Sequence, residues 1–469
     1  MNTSHQNKVA GASGATLFST RRVVGLCSAL IFSCASSPAR EAPPERSVKP
    51  VAALVPARDD RPKVLAKITF AATGDMMNHI SVSQSAAAAN VKDDKGNSTN
   101  HGGYDALFGG VVPDIAAADF AFANLETPIS PKNLKKVVEF VFNSPPDLVE
   151  ALKTTGFDVV SFANNHVYDQ GRAGFVDSLD ELEKAKLPFV GAGRTRALAH
   201  QGIRFEKDGV KFAFLGASQF FNSKDQNVDD PKQPHCNKTD DPEAMEEAVK
   251  EARKEADFVL VSLHWGVEYT AKPRDSEIEL AHRLFEAGAD VVLGHHPHVL
   301  QPIEVYQAKD GRFCMVVYSM GNFISNQSRQ YAHKVSPEKV GDARDGVLVR
   351  FAVERKDYGS GVVRAELADL NYLPLWTEND YLTRKDKAPP VIRVVVVGRE
   401  ITRAQEALDA IAAEVKEGKP SKPQQAEIVR LKKRIELMER RREIAASRLG
   451  EEFLADPPAL GALLSSPGP

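Results

Sequence analysis

The chain has 469 residues, of which 42% are hydrophobic and 26% are charged. These fractions are ordinary for a globular protein with a sizeable core, and the length predicts roughly two to three domains. The formal net charge of −3 argues against a nucleic-acid-binding protein that works through a general positive field.

The N-terminus has the pattern of an export signal. In "TRRVVGLCSALIFSC" two arginines precede a short apolar run, well below the roughly 20 residues needed to span a bilayer. Cys34 follows a small residue and resembles the lipidated cysteine of bacterial lipoproteins, so we predict a lipoprotein-type signal peptide over residues 1–34. Ordinary cleavage without a lipid anchor is the alternative. The predicted location is the bacterial cell envelope, with attachment to the membrane through lipid.

Strand-like and helical patterns alternate through most of the chain. Residues 35–66 are rich in proline, alanine and charge without periodicity, which predicts a linker. Over residues 67–398, short apolar runs such as "DFVLVSLHWG" alternate with helical stretches such as "DPEAMEEAVKEARKEA". This alternation predicts an α/β domain in which helices flank sheet.

The C-terminal region has a different pattern. Over residues 399–450, apolar residues recur at roughly heptad spacing on both sides of the break "EGKPSKP", which predicts a helical hairpin. Two roles stay open for this hairpin: packing on the domain or on itself, and oligomerisation or partner binding. Residues 451–469 are predicted to form a disordered tail.

Polar residues follow the apolar runs at the points where the predicted strands end. They are Asp75, Glu126, Asn165, His166, His264, His295, His296 and His298. Loops at the carboxyl ends of strands converge in open α/β sheets, so these side chains are expected to meet in space. Carboxylate, amide and imidazole groups suit a hard or borderline divalent cation, so the pattern predicts a metal site.

The ordered motifs "TGDMM", "NLETP", "FANNHVYDQG", "LHWGVEY", "GADVVLGHHPHVLQPIE" and "YSMGNFI" resemble one known family. It is the poly-γ-glutamate capsule biosynthesis (CapA) family, a branch of the calcineurin-like metallophosphoesterase superfamily. The resemblance covers about residues 68–375 and leaves out the N-terminal linker and the C-terminal hairpin. It implies a four-layer α/β/β/α sandwich with a metal site at one edge of the sheets.

The resemblance also implies roles for individual residues. The implied metal ligands are Asp75, Glu126, Asn165, His264, His295 and His298. His166 is the implied general acid. Residues expected to support the ligands or to contact substrate are Asn124, Asn164, Asp169, Glu268, His296 and Asn322. The expected cofactor is one or two divalent ions of Mn, Fe or Zn.

Two positions depart from the wider superfamily. Met77 stands where that superfamily has a histidine in its first motif, and Glu126 replaces a more common aspartate. Both departures put a standard two-metal site in doubt, and one tight site with one weak site is the alternative. His79 is expected to be a surface histidine, and His296 is expected to face the cleft or solvent rather than the metal.

Three functions remain open from the sequence. The first is a cell-envelope metal-dependent hydrolase that acts on an amide- or ester-linked envelope polymer or peptide, such as poly-γ-glutamate. The second is a metallophosphoesterase, because metal-activated water serves both reactions. The third is a non-catalytic scaffold for capsule polymer synthesis or export.

Overall fold

The computed structural model describes residues 62–455, apart from residues 240, 385, 387, 416 and 417. The predicted signal peptide, the predicted linker up to residue 61 and the end of the predicted tail from residue 456 lie outside the described residues. Among the residues described, no helix is both long and apolar enough to cross a membrane.

The described residues form a mixed α/β fold. Its strands are β1 (Lys63–Met76), β2 (Phe120–Leu125), β3 (Val159–Ser161), β4 (Phe189–Val190), β5 (Ala192–Gly193), β6 (Ile203–Lys207), β7 (Val210–Ser218), β8 (His235–Cys236), β9 (Phe258–His264), β10 (Val291–His295), β11 (Leu300–Gln307), β12 (Phe313–Met320), β13 (Asn322–Ile324), β14 (Asp345–Asp357), β15 (Val363–Asn379) and β16 (Ile392–Val396). Its α-helices are α1 (Ile80–Ala89), α2 (Tyr104–Phe108), α3 (Val112–Ile115), α4 (Asp147–Thr155), α5 (Gly171–Ala185), α6 (Arg196–Gln201), α7 (Pro242–Glu255), α8 (Asp275–Ala287), α9 (Val397–Glu414) and α10 (Lys422–Leu449). Short 3-10 helices cover His101–Gly103, Glu338–Arg344 and Glu451–Phe453.

The strands form two large sheets. The larger sheet has the order β16-β15-β14-β1-β2-β3-β4, with β13 also paired to β1, and the smaller has the order β11-β12-β10-β9-β7-β6. Strands β1 to β4 run parallel in the larger sheet, as do β7, β9, β10 and β12 in the smaller. The carboxyl ends of these parallel strands therefore lie at one edge of each sheet, where binding sites form.

The core consists of three large apolar clusters. The first cluster consists largely of buried side chains from both sheets. Within it, the ring of Phe70 in the larger sheet lies 5.3 Å from that of Phe212 in the smaller sheet. A second cluster packs the larger sheet against helices that include α4 and α5, and a third packs the smaller sheet against α7 and α8. Each sheet thus buries apolar side chains on both of its faces.

Local sequence explains where two of the longer helices begin. The side chain of Asp241 accepts a hydrogen bond from the backbone N–H of Ala244, and Pro242 follows at the first helical position of α7. Ser421 and Gln424 cap each other's backbone reciprocally at the start of α10.

Helices α9 and α10 lie where the heptad spacing predicts helices, and Arg434 of α10 donates to Glu400 of α9 over 2.7 Å.

Two predicted boundaries are wrong. Strand β1 begins at Lys63 and pairs with β14, so the predicted linker ends before residue 63 instead of at residue 66. Residues 451–455, predicted to be part of a disordered tail, are folded against β15. There the backbone N–H of Ala455 donates to the carbonyl of Tyr372 over 3.0 Å. Phe453 and Leu454 pack with the apolar cluster that is shared by the two sheets, and this contact holds residues 451–455 against the rest of the fold.

Candidate metal centre

The strand register brings polar residues of both sheets together. In the larger sheet, Asp75 at the end of β1 is paired with Asn124 of β2 and with Asn322 of β13. In the smaller sheet, His264 at the end of β9 is paired with His295 at the end of β10. The strand ends therefore deliver these side chains to one place, as the position of the motifs in the sequence predicts.

Two glycines permit the close approach of strands at this edge. A Cβ atom on Gly74 would lie 1.9 Å from the carbonyl oxygen of Gly321, and one on Gly294 would lie 2.1 Å from that of Tyr318. Any larger residue would push the neighbouring strands apart. The glycine that precedes Asp75 and the glycine that precedes His295 are therefore part of the site's construction.

Asp75 is the hydrogen-bonding centre of the cluster. Its Oδ1 accepts from Nδ2 of Asn124 over 2.8 Å and lies 3.1 Å from Nδ1 of His295. Its Oδ2 accepts from the backbone N–H of His296 and lies 3.1 Å from Nδ1 of His298. Burial alone would raise the pKa of Asp75, but the hydrogen bonds from His295 and His298 hold it well below its usual range.

The loop after β10 has an unusual backbone. His296 has a φ of 94° and His298 a φ of 58°, on either side of Pro297. Non-glycine residues rarely adopt positive φ, and such strain concentrates at functional sites. The turn lets the backbone of His296 and the ring of His298 reach the same oxygen of Asp75.

The side chain of Glu126 is fully buried, whereas its backbone N–H donates to the carbonyl of Met76 over 3.1 Å. Neither carboxylate oxygen has a partner among the described residues, although Oε1 lies 3.6 Å from Nε2 of His264 and 3.9 Å from Nε2 of His298. Burial, followed by the charge of Asp75, raises the pKa of Glu126 well above its usual value. Burial without partners favours the protonated acid in the absence of a ligand and leaves both oxygens available to a cation.

His264 lies between two asparagines. Its Nε2 lies 2.9 Å from Oδ1 of Asn165, and its Nδ1 lies 3.3 Å from Nδ2 of Asn124. Burial, followed by the nearby ring of His296, lowers the pKa of His264 well below its usual value. A lowered pKa favours the neutral imidazole, which is the form in which histidine binds metal.

His166 is held at both ring nitrogens. Its Nδ1 lies 2.7 Å from Oδ2 of Asp169, and its Nε2 lies 3.2 Å from Nδ2 of Asn222. Asn222 also donates its backbone N–H to the carbonyl of Asn165 over 2.8 Å. Sequence reasoning missed Asn222, although its position just after the end of β7 follows the same strand-end pattern as the other site residues.

The site contains several buried polar atoms without a hydrogen-bond partner within the described chain. They are Oδ1 of Asn124, both carboxylate oxygens of Glu126, Nδ2 of Asn165, Nε2 of His295 and Nδ1 of His296. Most of these atoms carry lone pairs, and rotation of the Asn165 amide would exchange its nitrogen for an oxygen. A donor set of carboxylate, imidazole and amide oxygen fits a divalent cation without thiolate.

Three groups of side chains bring their donor atoms within 4.8 Å of one another. The groups are Glu126 with His264 and His296, Asp75 with Glu126 and His298, and Glu268 with His296 and His298. Glu268 is exposed, whereas the other members are buried.

The match to known proteins covers this whole cluster. A model of the family described as "Bacterial capsule synthesis protein PGA_cap" matches residues 69–327, which is more than half of the chain. The chain belongs to this family. The resemblance to the capsule biosynthesis family noted from the motifs is thereby confirmed.

Curated relatives agree with this assignment. The PGA biosynthesis protein CapA of Bacillus subtilis is 38% identical over 264 residues, which cover 56% of this chain and 64% of that protein. The capsule biosynthesis protein CapA of Bacillus anthracis is 33% identical over 49% of this chain and 56% of its own length. A probable polyglutamine synthesis accessory protein of Mycobacterium tuberculosis is 30% identical over 46% of this chain and 58% of its own length. The chain thus spans less than two thirds of each of these relatives.

Within the segment that matches the family, the remaining expected site residues also lie at the cluster. Asn164 donates from Nδ2 to the carbonyl of Leu125 over 2.8 Å and accepts from the backbone of His166. Asn322 is buried, and its Oδ1 lies 3.1 Å from Nδ1 of His298. Its amide nitrogen donates to the carbonyl of Ala343 over 2.8 Å.

The geometry departs from the expectation at two histidine positions. His296 belongs to two of the three donor groups, whereas His295 belongs to none of them. The family resemblance implies His295 and His298 as the ligating pair, and both rings face Asp75 through Nδ1 at 3.1 Å.

His79 is also placed differently from the expectation of a surface histidine. It is 5% exposed, and its Nδ1 accepts from the backbone N–H of Asn326 over 3.3 Å. Its ring lies 4.9 Å from that of Phe142, and burial lowers its pKa to about 3. Met77 is buried as well, and its backbone N–H donates to the carbonyl of Ile324.

Proposed function

We propose that this protein is a metal-dependent hydrolase of the bacterial cell envelope that acts in poly-γ-glutamate capsule synthesis on an amide- or ester-linked polymer. The observation that carries the proposal is the fully buried carboxylate of Glu126, which lacks a hydrogen-bond partner and faces two imidazoles. A carboxylate in this position is explained by a bound cation. The role in capsule synthesis rests on the names of the relatives from Bacillus subtilis and Bacillus anthracis.

The proposed ligand set differs from the one expected from the motifs. The residues that would hold one or two divalent ions are Asp75, Glu126, Asn165, His264, His296 and His298. His295 is left out of this set because it belongs to none of the three donor groups; its Nδ1, like that of His298, lies 3.1 Å from the carboxylate of Asp75, which it would orient. Mn, Fe and Zn all suit these donors. Such an ion supplies Lewis acidity and activates water at neutral pH.

His166 is the proposed proton donor to the leaving group. Asp169 accepts at Nδ1 and fixes the ring, so a proton on Nε2 would point away from Asp169. Nδ2 of Asn222 lies 3.2 Å from Nε2, so Asn222 must turn away or rotate its amide before Nε2 donates a proton to substrate. The ring of Phe142, whose centroid lies 4.3 Å from that of His166, covers the imidazole and limits its contact with water.

We also propose the four-layer α/β/β/α arrangement and the C-terminal helical hairpin. Support for the layers comes from the apolar cluster shared by both sheets and from the separate clusters between each sheet and its helices. Support for the hairpin comes from the ion pair between Arg434 and Glu400. The lipid anchor at Cys34, the envelope polymer or peptide as substrate, and a partner or oligomer formed through the hairpin stay predictions.

The test is metal analysis followed by substrate screening. The full chain, purified with and without added Mn, Fe or Zn, is expected to retain about one or two ions per chain. It is then assayed against γ-glutamyl peptides, phosphodiesters and phosphomonoesters, with Asp75→Asn as the control. Turnover of phosphoesters alone would replace the amide- or ester-directed activity by a phosphoesterase, and absence of bound metal would overturn the proposal.

A non-catalytic scaffold is the second candidate, because two relatives carry the words "biosynthesis" and "accessory" in their names. A scaffold needs a folded, metal-loaded cluster but no proton donor. His166→Asn should therefore abolish capsule formation if the protein is a hydrolase and leave it intact if the protein is a scaffold. Metal content and thermal stability of the variant are measured alongside, so that a failure to fold is recognised.

A further inference from the structure

We propose that helix α10 positions His298 of the candidate metal centre through Arg441, so that the C-terminal helices support ligand binding. This proposal rests on the proposed metal centre. Helix α10 lies outside residues 69–327, the segment that matches the family. Arg441 forms ion pairs with Asp345, Asp342 and Glu338, and these four residues are the Arg441 cluster.

Arg441 ties α10 to the segment that leads into β14. Its side chain is fully buried, and Nε donates to Oδ1 of Asp345 over 2.8 Å. Nη2 lies 3.3 Å from Oδ1 of Asp342 and also pairs with Asp345, and Nη1 donates to Glu338 over 3.1 Å. Every nitrogen of the guanidinium thus has a carboxylate partner in the segment 338–345.

Aromatic rings hold the guanidinium in place. The centre of the Arg441 guanidinium lies 5.0 Å from the ring of Trp376 and 5.4 Å from that of Tyr331. Such stacking favours arginine over lysine at this position. The planar guanidinium of arginine, with its several N–H donors, therefore fits the Arg441 cluster better than the ammonium group of lysine.

The segment bound by Arg441 contacts the residue that orients His298. The carbonyl of Ala343, between Asp342 and Asp345, accepts from Nδ2 of Asn322 over 2.8 Å. Oδ1 of Asn322 lies 3.1 Å from Nδ1 of His298, whose ring also faces Asp75. Groups that orient a ligating histidine in this way set the position of its other nitrogen, the one available to a metal.

The backbone leaves little room for this segment to move independently of Asn322. A Cβ atom on Gly346 would lie 2.2 Å from the carbonyl oxygen of Asn322, and one on Gly321 would lie 2.5 Å from that of Asp345. The backbones on either side of the contact are therefore in close approach. A shift of Asp345 that follows the loss of Arg441 would move Asn322 and, through it, His298.

The test compares Arg441→Met with Arg399→Met. Arg399 of α9 forms a buried two-point ion pair with Asp114, at 2.7 Å and 2.8 Å, and has no contact with the segment 338–345 among its hydrogen bonds. Both variants should lower the melting temperature. Affinity for Mn and for Zn is measured by competition with a chelating dye, at a temperature where each variant is folded.

We expect Arg441→Met to weaken metal binding by about tenfold, as changes behind a ligating histidine do. Arg399→Met should leave the affinity within the error of the wild type. Equal affinity in Arg441→Met and wild type would overturn the proposal, as would equal weakening in both variants. If Arg441→Met does not fold, Arg441→Lys takes its place, with a smaller loss of affinity expected.

Hydrogen exchange of the metal-free protein separates this proposal from the metal centre itself. Faster exchange of backbone amides in residues 320–325 and 296–300 in Arg441→Met, but not in Arg399→Met, would support the positioning role. Unchanged exchange in both segments would overturn it. If the wild type binds no metal, the proposed function fails, and the exchange measurement still decides whether Arg441 positions the loop of His298.

Discussion

Two buried clusters of charged side chains lie close together in this protein and satisfy their hydrogen bonds in different ways. In the Arg441 cluster, each nitrogen of the guanidinium meets a carboxylate. In the candidate metal centre, the carboxylate of Glu126 meets no hydrogen-bond donor in the part of the chain described. Arg441 and Glu126 are desolvated to a similar degree, since Arg441 is 1% exposed and Glu126 is 0% exposed.

A buried charge that protein groups pair can hold two segments of the fold together, whereas a buried charge without such a pair is available to a ligand. Desolvation of an ion costs several kcal/mol, and a buried pair recovers this cost only with good geometry and further hydrogen bonds. The Arg441 cluster meets that condition with protein groups alone, so it can hold one segment against another. The candidate metal centre does not meet it, and the pKa of Glu126 is raised well above its usual value by burial and by Asp75. The cation proposed above would supply the missing partner.

Removal of Arg441 should have the largest effect on folding. Arg441→Met leaves Asp345 buried without its cation, so we expect the free energy of unfolding to fall by about 3 to 5 kcal/mol. Urea denaturation followed by circular dichroism measures the change. Arg440→Met, one residue away at an exposed position, is the control and should change the free energy by less than about 0.5 kcal/mol. A small loss for Arg441→Met would show that the cluster contributes little to folding.

Removal of His298 should have the largest effect on metal binding. Loss of groups behind a ligand already costs roughly 10- to 100-fold in affinity, so His298→Ala should weaken metal binding by about 100-fold or more. Chelator competition and metal analysis of the purified chain measure the loss. His282→Ala is the control, because His282 pairs with Glu304 and both side chains are partly exposed to solvent. Similar affinity in the two variants would contradict the assignment of His298.

The sequence predicts the strand ends well because that signal is local. Asp75, Glu126 and His264 each follow an apolar run, and parallel strands bring their carboxyl ends to one edge. The alternation of strands and helices likewise predicts an α/β fold, because each element carries its own hydrophobic pattern. These features follow from residues that are neighbours in the chain.

The remaining features depend on contacts between distant residues or on backbone strain. Arg441 and Asp345 are 96 residues apart, and the heptad pattern of α10 gives no reason to expect an ion pair there. The burial of His79 depends on the ring of Phe142, which belongs to a different part of the chain. The turn after β10 has positive φ angles at two non-glycine residues, His296 and His298. No residue pattern fixes these.

The two adjacent histidines give a sharper test of the metal centre. From the motifs, His296→Ser is expected to leave metal content near normal. The geometry predicts the reverse, because His296 belongs to two donor groups and His295 belongs to none. We expect His296→Ser to weaken metal binding about tenfold more than His295→Ser, which disturbs only the orientation of Asp75. Chelator competition on both variants decides, and a larger loss in His295→Ser would restore the original ligand set.

Glu126→Gln should have the smallest effect and the most unusual sign. In the unfolded chain a glutamate has a pKa of about 4.3, whereas burial and Asp75 raise the pKa of Glu126 well above this value in the metal-free fold. As pH rises through about 4.3, the unfolded chain releases this proton while the folded chain keeps it, so folding loses stability until the folded pKa is reached. Glutamine has no proton to lose. Metal-free Glu126→Gln should therefore be more stable than the wild type by about 1 to 2 kcal/mol at pH 7, with a difference that shrinks toward pH 4. Thermal unfolding across this pH range measures it, and added metal should reverse the order, because only the wild type offers two carboxylate oxygens to the ion. This reversal would separate Glu126, whose charge needs the ligand, from Arg441, which is expected to stabilise the fold in both states.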